Sequence, residues 1–324
     1  MKILLTGATG FISKKLIQEL LNKDFELSSI LRNKVDHLPN DIQQFVIGDF
    51  AKCANYSNEL TGVDCVIHLA GKAHVIDKNK ASVLNEFRLI NTDFTISLAR
   101  QAAAVGVSRF IFLSSIGVNG NQNIKPFLES DTPNPQEPYA ISKYEAEQGL
   151  FKLAKKTDME VVIIRPPLVY GANAPGNFGR LMSWASKKHS IPLPLGSVRN
   201  SRSFVALDNL VDFITTCVTH KNAANELFLV SDREDLSTTQ LLRKIAKAFN
   251  KKIFLLPIPV QLMIFMVGFL GRKEDAIRLF SSLRVDSSKA KELLNWNPKI
   301  TMDEQLLKIA KAKKINVNIG NLSC

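Results

Sequence analysis

Tyr139 and Lys143 stand four residues apart in YAISK, just after Pro138, whose fixed φ suits the first turn of a helix. That spacing puts both side chains on one helix face. A phenol is a poor base near neutral pH because its ordinary pKa is about 10, and a neighbouring ammonium favours the phenolate. Ser114 and Ser115 close the apolar run RFIFLSS. At least one of these hydroxyls is expected at a strand end, where it either hydrogen-bonds a substrate oxygen beside the tyrosine or caps the next turn. A phenol, an ammonium and a hydroxyl brought together suit proton transfer at an oxygen whose carbon gains or loses hydride.

The hydride carrier is suggested by a second motif. Gly7-Ala8-Thr9-Gly10-Phe11-Ile12-Ser13 follows an apolar run and opens a helical pattern, the context of a dinucleotide fingerprint. Its glycines let a pyrophosphate approach backbone N–H groups at a helix N-terminus. The third glycine of that pattern is replaced by Ser13, so the helix is expected to stand slightly further from its strand. Residue 32 falls where the second strand ends, the position that reads the adenosine ribose, and it is Arg32 rather than an acid. It either pairs with a 2′-phosphate or is a solvated turn residue. Asp49, after the third apolar run, either accepts from the adenine amino group or serves turn chemistry. A positively charged nicotinamide would add to the ammonium in favouring the Tyr139 phenolate.

From residue 2 to about 170, short apolar runs (KILLT, FELSSIL, QQFVIG, DCVIHLA, RFIFLSS, MEVVIIR) alternate with helical stretches at 11–22, 82–105 and 139–156. This alternation predicts an α/β fold, a Rossmann-type doubly wound parallel sheet, with ligands at the C-terminal ends of the strands. The stretch 82–105 carries Phe87, Ile90, Phe94 and Leu98 on one helical stripe, with Asn91 close beside it. Asn91 is either a solvated capping residue or holds a water or backbone group. Beyond 171 the chain turns to Gly, Pro and Asn, so residues 1–170 are assigned to the dinucleotide-binding domain. Residues 171–324 are assigned mainly to a smaller substrate-binding region, with some segments returning to the first domain.

With 324 residues and 45% hydrophobic composition the chain can bury a full core. Cys53, Cys65, Cys217 and Cys324 lack metal or disulfide spacing, so no metal is expected and a cytoplasmic location fits. No run reaches eighteen apolar residues, which argues against a transmembrane helix. The net charge of +12 attracts anions in general, but its Lys and Arg residues interleave poorly with aromatics, which argues against nucleic acid as a partner. The apolar segment Pro257–Leu270 either docks peripherally on a membrane or packs as a helix in the C-terminal region, the second reading being favoured.

GATGFIS, HLAG at 68–71, Asn91, the serine-ended strand, YAISK and RPPLVYG at 165–171 together resemble the extended short-chain dehydrogenase/reductase family, in its NAD-dependent epimerase/dehydratase branch. NSRSFVALDNL at 200–210 and VDSSKAKELLNWNP at 285–298 extend the resemblance through the second half. Within that family the chain is most similar to UDP-glucose 4-epimerase-like and UDP-N-acetylquinovosamine dehydrogenase proteins of polysaccharide gene clusters.

The resemblance implies Ser115, not Ser114, as the catalytic hydroxyl, Tyr139 as acid/base and Lys143 as the ribose-binding lysine. Gly7, Gly10, Phe11, Ile12, Arg32, Asp49, Leu69, Ala70, Gly71, Asn91 and Pro166 are implied around NADP or NAD. His74, Asn177 and Arg202, with Arg278 or Arg284 as a further phosphate contact, are implied around a UDP-sugar. No acidic pair follows Ser115, which disfavours dehydration. The expected activity is 4-ketoreduction of a UDP-4-keto-6-deoxy-N-acetylhexosamine in surface polysaccharide (lipopolysaccharide or O-antigen) biosynthesis. A UDP-sugar 4-epimerase and a non-catalytic dinucleotide sensor are the alternatives. A homodimer stands as the candidate assembly.

Overall fold

Valine, isoleucine, leucine and phenylalanine fill the strand interiors on both faces, the pattern of a parallel sheet covered by helices on each side. The computed structural model describes residues 1–50, 55–73, 80–186, 192–269 and 279–320. In the first half, β1 (Lys2–Thr6), β2 (Glu26–Leu31), β3 (Ile42–Val46), β4 (Cys65–His68), β5 (Arg109–Leu113) and β6 (Glu160–Arg165) alternate with helices, except that a loop alone joins β2 to β3. The helices are α1 (Phe11–Leu21), α2 (Ser57–Leu60), α3 (Lys80–Phe87), α4 (Phe94–Ala104) and α5 (Pro138–Ala154).

In the second half β7 (Leu168–Tyr170) pairs with β8 (Phe204–Ala206), and β9 (Leu227–Leu229) lies in parallel beside β6. The seven-stranded sheet runs β3-β2-β1-β4-β5-β6-β9, parallel throughout. The expected doubly wound α/β architecture is therefore present. The strand order reverses at β1, which places the turn after β1 and the loop after β4 side by side at the strands' C-terminal edge.

One face of the sheet packs Leu16, Ile17 and Leu20 of α1 against Phe213 and Ile214 of α7 (Leu207–Thr219). The other packs Phe94 and Leu98 of α4 against Ala146 and Leu150 of α5. A third cluster lies in the second half. It joins Tyr170 and Phe204 to Phe178 of α6 (Gly176–Ser186), Leu241 and Ile245 of α8 (Thr238–Ala248), and Met302 and Leu306 of the final helix Met302–Gly320. Asn209 ties three segments of the second half together: its amide donates to Asp232 and to Ile300 O while its carbonyl accepts from Lys299 and Ile300 N–H.

Two sequence expectations need correction. The stretch 82–105 is not one α-helix, because Arg88–Asp93 between α3 and α4 is π-helical. The wider turn carries Asn91 into the interior, fully buried, while Phe87, Phe94 and Leu98 stay in the core. Pro257–Leu270 does form a helix, α9 (Val260–Phe269), but it is not packed away. Among its described side chains only Met263 is buried, at 3% exposure, whereas Leu262, Phe265 and Met266 face outward. Leu270 lies outside the described residues.

Candidate active site

Gly7 sits at φ +73°, a conformation that disfavours any side chain, and a Cβ there would come 2.7 Å from Ala70 N. The turn after β1 thus lies flush against the loop after β4. Gly10 caps α1, and its own Cβ would meet Gly7 O at 3.1 Å. Ser13 is 1% exposed and donates to Gly7 O at 2.6 Å, so the serine closes the turn by a hydrogen bond where the pattern has glycine. Phe11 and Ile12 open α1, and helical geometry gives their N–H groups no acceptor within the helix. Phe11's ring lies against Gly171, where a Cβ would approach it to 3.3 Å.

A cleft of about 530 Å³ runs along this edge, lined by Gly7, Thr9 and Gly10 at its floor and by Leu69, Ala70, Gly71 and Lys72 on one wall. Arg32 and Asp49 line its other end, joined by Asn33, Val35 and Phe50, which sequence reasoning did not single out. Arg32 is exposed and has no ion-pair partner among the described residues. A glycine floor that any Cβ would fill, a helix N-terminus and an arginine at the far end fit an extended dinucleotide.

The loop after β4 is held by buried polar groups. Asn91 donates to Lys72 O and Ser142 Oγ, each at 3.0 Å, and accepts from Lys72 N–H at 2.8 Å. A backbone group is therefore what Asn91 holds. Behind it, Ala70 N–H donates to Thr6 Oγ1, which is 2.8 Å from His68 Nδ1, and His68 Nε2 is 2.8 Å from Thr95 Oγ1. Thr95 gives its own proton to Asn91 O, so it must accept from His68, which fixes the proton on Nε2. Burial holds His68 well below its ordinary pKa, in the neutral form this chain requires. Thr6, His68 and Thr95 escaped sequence reasoning. The one signal was a histidine inside an apolar strand.

Lys143 is 3% exposed; its Nζ donates to Leu113 O at 3.0 Å and lies 4.4 Å from the centre of the Phe112 ring. A Cβ on Gly71 would come 3.2 Å from that Nζ, so Lys143 abuts the cleft wall. Burial draws its pKa down to about 8, opposed by the field of Glu147. Tyr139, on the first turn of α5, packs edge to face against Phe87 with ring centres 5.9 Å apart. Burial pushes its phenol up to about 12, opposite in direction to the effect expected from a neighbouring ammonium. Desolvation of the ring is the cause of this shift.

The two serines separate cleanly. Ser114 is buried and donates to Glu147, which also holds Arg165 in an ion pair with side chains 2% and 3% exposed. Arg165 reaches on to Asn119 Oδ1 at 2.8 Å. Ser115 is half-buried with its Oγ accepting from Gly117 N–H at 3.1 Å, which leaves its proton for another acceptor. Pro166 O accepts from Ile116 N–H at 3.0 Å and ties the serine loop to the end of β6.

Arg202 has its backbone clamped between Leu236 and Leu283, and its Nη1 donates to Ser281 O at 3.0 Å. Burial lowers its pKa. Arg284 donates to Ile124 O, and its buried Nε has no hydrogen-bond partner among the described residues. Asn177 lies in the first turn of α6, with its side chain outside the described set. His74 and Arg278 fall outside the described residues.

The chain can now be set beside known proteins. The description "NAD dependent epimerase/dehydratase family" fits residues 3–230. UDP-glucose 4-epimerase of Vibrio cholerae is 42% identical over 314 residues, covering 96% of this chain and 94% of that protein. The dTDP-4-dehydro-6-deoxyglucose reductase of Escherichia coli is 24% identical and covers 96% of each chain. The crystal structure of UDP-glucuronic acid 4-epimerase from Bacillus cereus in complex with NAD matches with a TM-score of 0.77 at 23% identity, covering 96% of each chain, a likeness of fold. A family match through most of the chain and a full-length relative at this identity make the chain a member of the NAD dependent epimerase/dehydratase family, an extended short-chain dehydrogenase/reductase among sugar-nucleotide epimerases and reductases.

Proposed function

We propose that the chain transfers hydride at C4 of a UDP-hexosamine, as an NADP-linked reductase of a UDP-4-keto-6-deoxy-N-acetylhexosamine. The observation that carries the hydride chemistry is the meeting of Lys143 with the glycine-floored cleft at Gly71, next to the half-buried Tyr139 and Ser115. The dinucleotide supplies or accepts the hydride when bound. Lys143 holds its ribose, and the neutral phenol that burial favours at Tyr139 is the form that must give up the proton in reduction. Ser115 holds the C4 oxygen through its free proton while Tyr139 gives or takes the proton on that oxygen. Gly7, Gly10, Phe11 and Ile12 bind the pyrophosphate, Arg32 the 2′-phosphate and Asp49 the adenine. Leu69, Ala70, Gly71, Asn91 and Pro166 complete the cofactor wall. His74, Asn177, Arg202 and either Arg278 or Arg284 hold the UDP-sugar, so residues 171–324 serve mainly the substrate.

Net reduction is favoured by Arg32, since an arginine at the ribose position suits NADP, the usual donor in biosynthetic reduction. A second reading, 4-epimerisation with a recycled cofactor, is favoured by the Vibrio cholerae relative named for that reaction. The test is to supply the UDP-4-keto sugar with NADPH, and separately UDP-N-acetylglucosamine without added cofactor, and to identify products by NMR. Stoichiometric NADPH oxidation supports the reductase. Conversion of UDP-N-acetylglucosamine to UDP-N-acetylgalactosamine selects the epimerase, and no turnover in either arm overturns both.

A further inference from the structure

Among the described residues, five exposed large apolar side chains fall within the thirteen residues from Phe254 to Met266. Phe254 is 71% exposed and Leu256 44%; on α9, Leu262 and Met266 are 49% and 46% exposed. Leu262, Phe265 and Met266 follow a spacing of three and four residues, so they share the outer face of α9, while Met263 anchors the inner face. Pro257 and Pro259, both exposed, join the two parts. A contiguous apolar surface of this kind on a soluble fold marks an interaction site.

Charge identifies what covers it. From residue 236 to residue 273 the sequence holds seven basic residues, Arg243, Lys244, Lys247, Lys251, Lys252, Arg272 and Lys273, and no acidic one. Lys244 is committed to Glu234 and Asp303. Arg243, Lys247 and Lys251 recur every four residues along and just past α8, and they are exposed, as is Lys252. These exposed basic residues directly precede the apolar segment along the chain. Ten residues of helix extend about 15 Å, half the hydrocarbon thickness of a bilayer, and no described helix is long and apolar enough to cross one.

We propose that α9 and the preceding segment 254–259 form a docking surface for an anionic lipid membrane, with the apolar side chains entering the headgroup boundary and the α8 stripe facing acidic headgroups. The inference is independent of the reaction assigned above.

The test uses the full chain with sedimenting vesicles of phosphatidylglycerol and phosphatidylethanolamine in equal parts, against vesicles of phosphatidylcholine alone. The intact protein should pellet with the anionic vesicles at low salt and be released at high salt. The double variants Phe254→Ser/Leu262→Ser and Arg243→Glu/Lys247→Glu should each lose at least about tenfold in partitioning. Both should keep turnover of a soluble substrate. Leu262→Trp provides a reading that does not depend on lost binding: its emission should shift to the blue only with anionic vesicles. The proposal is overturned if the chain stays in the supernatant, if the double variants pellet like the parent, or if the tryptophan does not respond. It is equally overturned if sedimentation shows a dimer that Leu262→Ser dissociates, because a second copy would then occupy the face.

Discussion

Tyr139 and Lys143 are displaced by burial in opposite directions, the phenol to about 12 and the ammonium to about 8, and both shifts cost the charged form. For Lys143 the unfolded chain holds its proton more tightly than the folded one from about pH 8 to 10.5, so stability increases with pH across that window. Tyr139 acts the other way only above pH 10: its contribution is present below that value and lost as pH rises through 12. Urea midpoints of the cofactor-free protein should therefore climb between pH 8 and 10, by an amount on the order of 3 kcal/mol at most, and Lys143→Met should flatten the climb. An equal slope in the variant would show that Lys143 is not the group responsible. Tyr139→Phe should cost about 10²-fold or more in kcat, measured at saturating substrate. Arg32→Ala should weaken NADPH by about 1–3 kcal/mol and leave NADH unchanged, read by titration of each dinucleotide. The phenol, the lysine and the arginine were legible because four-residue spacing and strand ends can be read along the chain. The sign of the tyrosine shift was not, since it depends on Phe87 and on how closely the fold surrounds the ring.

At the scale of elements, α5 does more than present the reactive pair. One turn beyond Lys143 it carries Glu147, whose carboxylate joins Ser114 at the end of β5 to Arg165 at the end of β6. The helical register of YAISKYEAE places Glu147 on Lys143's face, a signal available in the sequence; that its partner is Arg165 could not be read without the adjacency of β5 and β6. Glu147→Ala leaves a buried guanidinium without its counter-charge and should cost about 3–5 kcal/mol, measured by urea unfolding near neutral pH. A loss below about 1 kcal/mol would mean that water or Asn119 satisfies the arginine. The π-helical turn was beyond reach for a related reason. Periodicity reports the core stripe, of which Phe87, Phe94 and Leu98 stay buried while Ile90 moves to the cleft lining, and not the polar group turned inward. Asn91→Ala strips both the donor and the acceptor from Lys72's backbone and should cost about 1–3 kcal/mol while lowering dinucleotide affinity. Unaltered affinity at reduced stability would assign Asn91 to the scaffold alone.

Across the whole molecule, the parallel, doubly wound sheet followed from alternating strands and helices, while the use of Leu227–Leu229 as its seventh strand did not. Three residues beyond the Gly- and Pro-rich stretch offer too short a period to read, and only pairing with β6 defines them. The matched family region, ending at residue 230, closes just past that strand. A fragment ending at residue 170 should accordingly aggregate where the intact chain stays in solution, which sedimentation of the two at equal concentration would show; a monodisperse fragment would mean that β6 needs no cover. The late arrival of β9 also bears on how the protein is made. On the ribosome, Val161 to Ile164 emerge long before their neighbour, and at translation rates of about 5–20 residues per second the 62 residues from Arg165 to Leu227 take about 3–12 s to follow. For that interval a bare apolar strand edge is open to pairing with other nascent chains. Yield in the cell should then depend on chaperone supply and on codon speed between residues 165 and 227.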